Sequence, residues 1–136
     1  MELCAQLPAE VTAPASARQL VRSALVGAGL GERDEIVDVA QLLTSELVSN
    51  ALRHGSQPVT VGIRCDPALV RIEIGDLGGG IPAPQASRSL DRPDGRGLQI
   101  VEDMAEEWGV VEREGGGKAV WFVLQLAPGS PPPGLG

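Results

Sequence analysis

Apolar residues along this chain keep two rhythms, and the switches between them mark out the elements. Leu3, Ala5 and Leu7 alternate with Glu2, Cys4 and Gln6, a period of two that predicts a short first strand ended by Pro8. Ala17, Leu20, Val21, Ala24, Leu25 and Ala28 then recur at helical spacing. They predict a helix beginning near Pro14, with Thr12 as its cap and Gly27, Gly29 and Gly31 at its end. A second, longer helix is predicted from about Glu32 to His54, with Gly55 as terminator. Its apolar stripe is Ile36, Val39, Ala40, Leu43, Leu47 and Ala51; its solvent face is Asp38, Gln41, Ser45, Ser49 and Arg53. The period of two returns at Val59, Val61 and Ile63. It returns again over Leu69 to Gly75, where Val70, Ile72 and Ile74 share one face and Arg71 and Glu73 the other, after a turn at Asp66-Pro67-Ala68. Residues 81 to 94 keep no period and read as a mobile loop. Leu98, Ile100, Val101, Met104 and Ala105 predict a short helix, and Trp108 to Arg113 and Ala119 to Leu126 two last strands around Gly115-Gly116-Gly117.

One apolar and one polar face on the strand over Leu69 to Gly75 suggests an antiparallel sheet covered on one side only. The order of strand, two helices, two strands, loop, helix and two strands predicts an α+β two-layer sandwich, with all helices on one face of a mixed sheet. One domain over residues 1–126 is expected, followed by a disordered Pro- and Gly-rich tail at 127–136.

Three polar residues break the pattern of the long helix. Glu46, Asn50 and His54 stand four apart, and each step of four rotates only about 40° around a helix, so they share a side. Asn50 and His54 fall within the apolar stripe and Glu46 at its edge. An inward polar group costs roughly 1–3 kcal/mol unless something satisfies it. Either the core supplies partners, with His54 complementing the helix dipole, or a ligand does. An amide oxygen suits magnesium alongside phosphates and water, and a carboxylate can orient or deprotonate a hydroxyl. Zinc is poorly supported, since the chain has a single histidine and no cysteine at ligand spacing near it.

Two glycine clusters add to this. Asp76 precedes Gly78, Gly79 and Gly80 and reads either as a turn or as an acceptor for an exocyclic amine beside a backbone that approaches a flat ring. Gly95-Arg96-Gly97 opens the short helix, either as a flexible loop exit or as a phosphate site at a helix N-terminus. It is not a Walker loop, because no Gly-Lys-Ser/Thr follows, nor a Rossmann fingerprint, because no strand precedes it.

Composition narrows the classes. With aromatics at only 2%, the core must be built from Leu, Val, Ile and Ala. A net charge of −7 argues against nucleic acid as the main partner but not against a nucleotide held at a local site. No apolar run approaches the roughly 20 residues that span a bilayer, and Met1-Glu2-Leu3-Cys4 is unlike a signal peptide. Cys4 and Cys65 are too few for a disulfide scaffold and read as reduced thiols of a cytoplasmic protein.

Taken in order, the inward Glu and Asn, the strand ending in Asp-x-Gly-x-Gly, the loop and the Gly-x-Gly at a helix start resemble the GHKL ATPase superfamily, with its Bergerat ATP-binding fold. Glu46 to His54 resembles its N box, Asp76 to Gly80 its first glycine box and Gly95 to Leu98 its second. The stretches TSELVSNALRHG, DRPDGRGLQIVEDMAEEWGV and GGKAVWFVL further resemble small bacterial anti-sigma-factor serine kinases. The resemblance implies ATP and Mg²⁺ as cofactors, with Asn50 ligating the metal, Glu46 as catalytic base, and His54 near the phosphates. It implies that Asp76 binds the adenine amino group, that Gly78 and Gly80 shape the pocket, that residues 81 to 94 form a lid, and that Gly95, Arg96, Gly97 and Leu98 hold phosphates. It implies a sigma factor and a small antagonist protein as partners, and a homodimer, which is common among such kinases. In this family the last strand often carries a threonine near the adenine carboxylate; Ala119 stands in that place. The alternative reading is a non-catalytic ATP-binding or degenerate interaction module. A histidine-kinase fragment is disfavoured, because no phospho-acceptor helix is recognisable.

Overall fold

A computed structural model describes residues 1–53, 58–76, 101, 103–112 and 117–126. The elements are strand β1 (Glu2–Leu7), helices α1 (Ala13–Gly27) and α2 (Asp34–Arg53), and strands β2 (Val59–Cys65), β3 (Leu69–Asp76), β4 (Glu107–Glu112) and β5 (Lys118–Gln125). Val101, Asp103 and Met104 are helical, in keeping with the predicted short helix. The expected lid at 81–94, the expected turn at 115–116 and the expected tail at 127–136 lie outside the described residues.

The α+β two-layer sandwich is observed, and every predicted strand falls within a residue or two of its place. The sheet order is β1-β2-β3-β5-β4. Every pairing among the described residues is antiparallel, as the one-sided face of β3 suggests, which corrects the expected mixed sheet. The reason is topological. β4 follows β3 in sequence and runs in the same direction, but β5 inserts between them and pairs with both, so no parallel ladder forms.

Register puts the apolar face of each strand on the same side. Leu3, Ile63, Ile72 and Phe122 form one row and Ala5, Val61, Ile74 and Val120 another. The helices cover this face, and Phe122, Ile63, Ile72, Val21, Leu25, Leu43 and Val48 are fully buried between the layers. The opposite face carries Glu2, Arg64, Arg71 and Glu73 in two ion pairs, Arg64–Glu2 at 3.7 Å and Arg71–Glu73 at 3.0 Å. Arg71 also lies 5.0 Å above the ring of Trp121, which in turn lies flat over Gly109.

Local chemistry sets the element ends. Thr12 is the N-cap residue of α1 as predicted, but its side chain makes no cap bond; Pro14, in the first turn, removes one amide that would need a partner. α1 ends where Gly29 turns to φ +90°, a left-handed conformation that glycine adopts freely, and the Leu30 amide bonds back to Leu25 at 2.9 Å. Gly27 is still helical. In the β2–β3 hairpin, Asp66 Oδ1 accepts from the amides of Ala68 at 2.8 Å and Leu69 at 3.0 Å.

Candidate functional site

The long helix is buried over a wider arc than a single stripe. Ile36, Ala40, Leu43, Leu47 and Asn50 form the expected inward row, and Val37, Thr44 and Val48 add a second buried row. Packing of α1 against α2 accounts for the extra arc: Gln41, expected to face solvent, reaches across to the Arg18 carbonyl of α1 at 3.1 Å. Ser45, also expected on the solvent face, is buried and donates to the Leu42 carbonyl at 3.1 Å. Val39 and Ala51, at the margins of the predicted stripe, are only partly buried.

Two tethers fix the direction of α2. At its start, Arg33 donates through Nη2 to the Leu126 carbonyl, and the Leu126 amide bonds to Ala68 just before β3 begins. At its end, a short connection leads from Arg53 to Val59, whose Cα partner on β3 is Asp76. A 20-residue helix is about 30 Å long and an eight-residue strand about 26 Å, so α2 spans the sheet. The C-terminal turns of α2, with Glu46 and Asn50, are thereby brought to the end of the sheet where β3 finishes at Asp76.

Asn50 is 5% exposed. Its Oδ1 accepts a hydrogen bond from Arg53 Nη1 at 2.8 Å, while its Nδ2 has no partner among the described residues. Arginine only donates, so this contact establishes which end of the amide is oxygen. Glu46, one turn earlier, is half-buried. Gly75 pairs with Ala119, which is buried and carries no hydroxyl. His54, Gly78, Gly80, Gly95, Arg96, Gly97 and Leu98 lie outside the described residues, and of Asp76 only the backbone is described. Arg53 is exposed, as the helical wheel expects, yet it reaches the buried Asn50. Its spacing of three from Asn50, a neighbour position on any helix, was the available signal.

The residues present suit a metal bound together with a nucleotide. The amide oxygen has a second lone pair of the hard kind that magnesium accepts, and the unpartnered Nδ2 is a donor for an acceptor oxygen. Among the described residues no three His, Cys, Asp or Glu side chains gather as a metal site.

A family model described as histidine kinase-like ATPase domain matches residues 7–124. The chain belongs to this family, and its fold and ATP-binding character follow from it. No curated protein matches the chain. Among the described residues no helix is long and apolar enough to cross a membrane.

Proposed function

We propose that this protein binds Mg-ATP and phosphorylates a serine on a small antagonist protein, in the manner of an anti-sigma-factor kinase that also binds a sigma factor. The observation that carries the reading is Asn50: a buried amide with an unpartnered donor, on the ATPase-family helix, at the end of the sheet where Asp76 stands. In this reading the serine hydroxyl attacks the γ-phosphorus, its proton passes to Glu46, and the bond to the bridging oxygen of ADP breaks. Asn50 would hold magnesium, which would supply charge compensation at the phosphates. Asp76 takes the adenine amino group, with Gly78 and Gly80 beside it. His54, Gly95, Arg96, Gly97 and Leu98 line the phosphates, and residues 81–94 close over them. Phosphoryl transfer needs mainly positioning and charge stabilisation, so few groups suffice. The catalytic unit is the single domain over residues 1–126, acting in the cytoplasm. Radiolabelled ATP and a cognate antagonist test this. The expected result is label on serine, lost in Asn50→Ala; no transfer by either protein refutes the kinase reading.

A second reading is favoured by Ala119. Opposite Gly75 and beside the end of β3, it offers no hydroxyl where relatives often place one for adenine. On that reading the nucleotide pocket serves only to set the shape of a partner-binding surface. Calorimetry separates the two: tight Mg-ATP binding without turnover supports the module.

A further inference from the structure

We infer that the outer edge of β4 is a docking site for an extended segment of a partner protein, apolar in its middle and basic beside it, that adds a strand to the five-stranded sheet. β4 ends the sheet order, with β5 as its one strand neighbour among the described residues. The Leu126 amide bonds to the Ala68 carbonyl at 3.0 Å and the Glu106 amide to the Val123 carbonyl at 2.9 Å. In an antiparallel ladder alternate residues bond to alternate sides, so even residues of β5 serve β3 and odd residues serve β4. By register Glu107, Gly109 and Val111 bond toward β5, and the amides and carbonyls of Trp108, Val110 and Glu112 point out of the sheet. Such a row of backbone donors and acceptors is a template for another strand, which meets them at the spacing they already have.

The side chains state what that strand must carry. Val110 is 49% exposed and Val111 43%, adjacent in the middle of β4 and so on opposite faces. Edges guarded against pairing carry charge or proline along the strand, whereas β4 keeps its charges at the ends and valines between. Asp103, Glu106 and Glu107 precede the valines and Glu112 follows them, all exposed. Among the described residues none of these carboxylates is in an ion pair, although Lys118 stands opposite Glu112. The start of β4 is therefore the more negative end, and lysine or arginine of the added strand belongs there. The other edge of the sheet differs: within β1 only Glu2, Cys4 and Gln6 are exposed. A second copy of this chain is a poor occupant, because β4 against β4 sets carboxylates near carboxylates on two chains of net charge −7. Glu107 shares a row with Val123 and Arg71, and Val111 with Ala119 and Gly75, so the acidic start of β4 is the end away from Asp76. The docking surface stands independently of the nucleotide reading.

The test uses the full chain and a fluorescent peptide, Thr-Val-Ile-Val-Thr-Lys-Lys, read by anisotropy, with a peptide carrying glutamate for lysine as control. Antiparallel addition sets its lysines beside Glu106 and Glu107. The lysine peptide should bind about tenfold or more tightly than the control, the effect of like charges in the latter. Val110→Pro removes a donor of the outer edge and leaves every bond to β5, and it should weaken the lysine peptide about tenfold, the size of one such bond. Val110→Lys keeps the backbone, places a charge where the apolar middle would lie, and should weaken it as much. Glu106→Lys combined with Glu107→Lys should reverse the preference between the two peptides. Urea unfolding checks each variant; if Val110→Pro does not fold, Val110→Lys and the charge reversal decide. Equal binding of the two peptides, binding of neither, or lysine-peptide affinity unchanged in Val110→Lys overturns the inference. Dimers of the wild type that Val110→Lys abolishes, with no peptide bound, would give the edge to a second copy and overturn it as well.

Discussion

Replacing Asn50 by leucine separates a residue kept for a ligand from one kept for the core. Asn50 ends the inward row Ile36, Ala40, Leu43 and Leu47 and is 5% exposed, so a leucine there joins an existing apolar surface. Removing the unpartnered Nδ2 donor relieves about 1–3 kcal/mol, the usual penalty of a buried orphan. Loss of the Arg53 contact subtracts about 1 kcal/mol. Burying two methyl groups in place of the amide oxygen and nitrogen contributes about 1.5–3 kcal/mol, of which the greater bulk of leucine removes about 1–3. At the middle of these ranges the balance favours the variant by about 1 kcal/mol, which for a chain of this length raises the midpoint by roughly 3–4 °C. Urea unfolding without nucleotide reads this difference. Repeated with Mg-ATP at a hundredfold excess over its dissociation constant, the wild type should gain about 2.7 kcal/mol and Asn50→Leu nothing. If Asn50→Leu is instead destabilised by more than about 1 kcal/mol without nucleotide, the core needs the amide, and the case for a ligand at Asn50 falls.

Glu46→Gln should keep Mg-ATP affinity within about threefold while lowering phosphate transfer by about 10²–10⁴, as expected for loss of a general base; equal loss of both in calorimetry and transfer assays would make Glu46 a binding residue instead. Gly109→Ala would set a Cβ 2.8 Å from Cζ2 of Trp121, so the ring must move; a loss of about 1–3 kcal/mol in urea and a shift in tryptophan emission are expected, with nucleotide affinity unchanged. Burial pushes the Cys65 thiol above its ordinary value near 9, the nearby N-terminal ammonium opposes this and Asp66 adds to it. The folded state therefore keeps a proton that the unfolded chain gives up. The Cys65 contribution to stability is full below pH about 9 and declines as pH rises past it, absent in Cys65→Ala, as urea midpoints against pH would show. In the folded protein a thiol reagent should modify exposed Cys4 first and buried Cys65 only on unfolding.

Periodicity alone determined most of the elements. Alternation at Leu3, Ala5 and Leu7, at Val59, Val61 and Ile63, and at Val70, Ile72 and Ile74 reports which side of a strand is buried, and the same residues line the buried face in three dimensions. The inward position of Asn50 was legible for the same reason: a helix has a fixed rotation per residue, so an amide in an apolar row must be shielded. What periodicity could not report was anything set by a distant neighbour. Val37, Thr44 and Val48 are buried because α1 lies against α2, a fact of packing that the α2 segment does not encode by itself. The antiparallel sheet depends on β5 inserting between β3 and β4, and a strand's own pattern does not name its partner. The stack of Arg71, Trp121 and Gly109 exists only once that register is set. Arg53 shows the boundary between the two. Local spacing put it beside Asn50, but only the burial of that amide by the rest of the fold turned an exposed arginine into the partner of its oxygen.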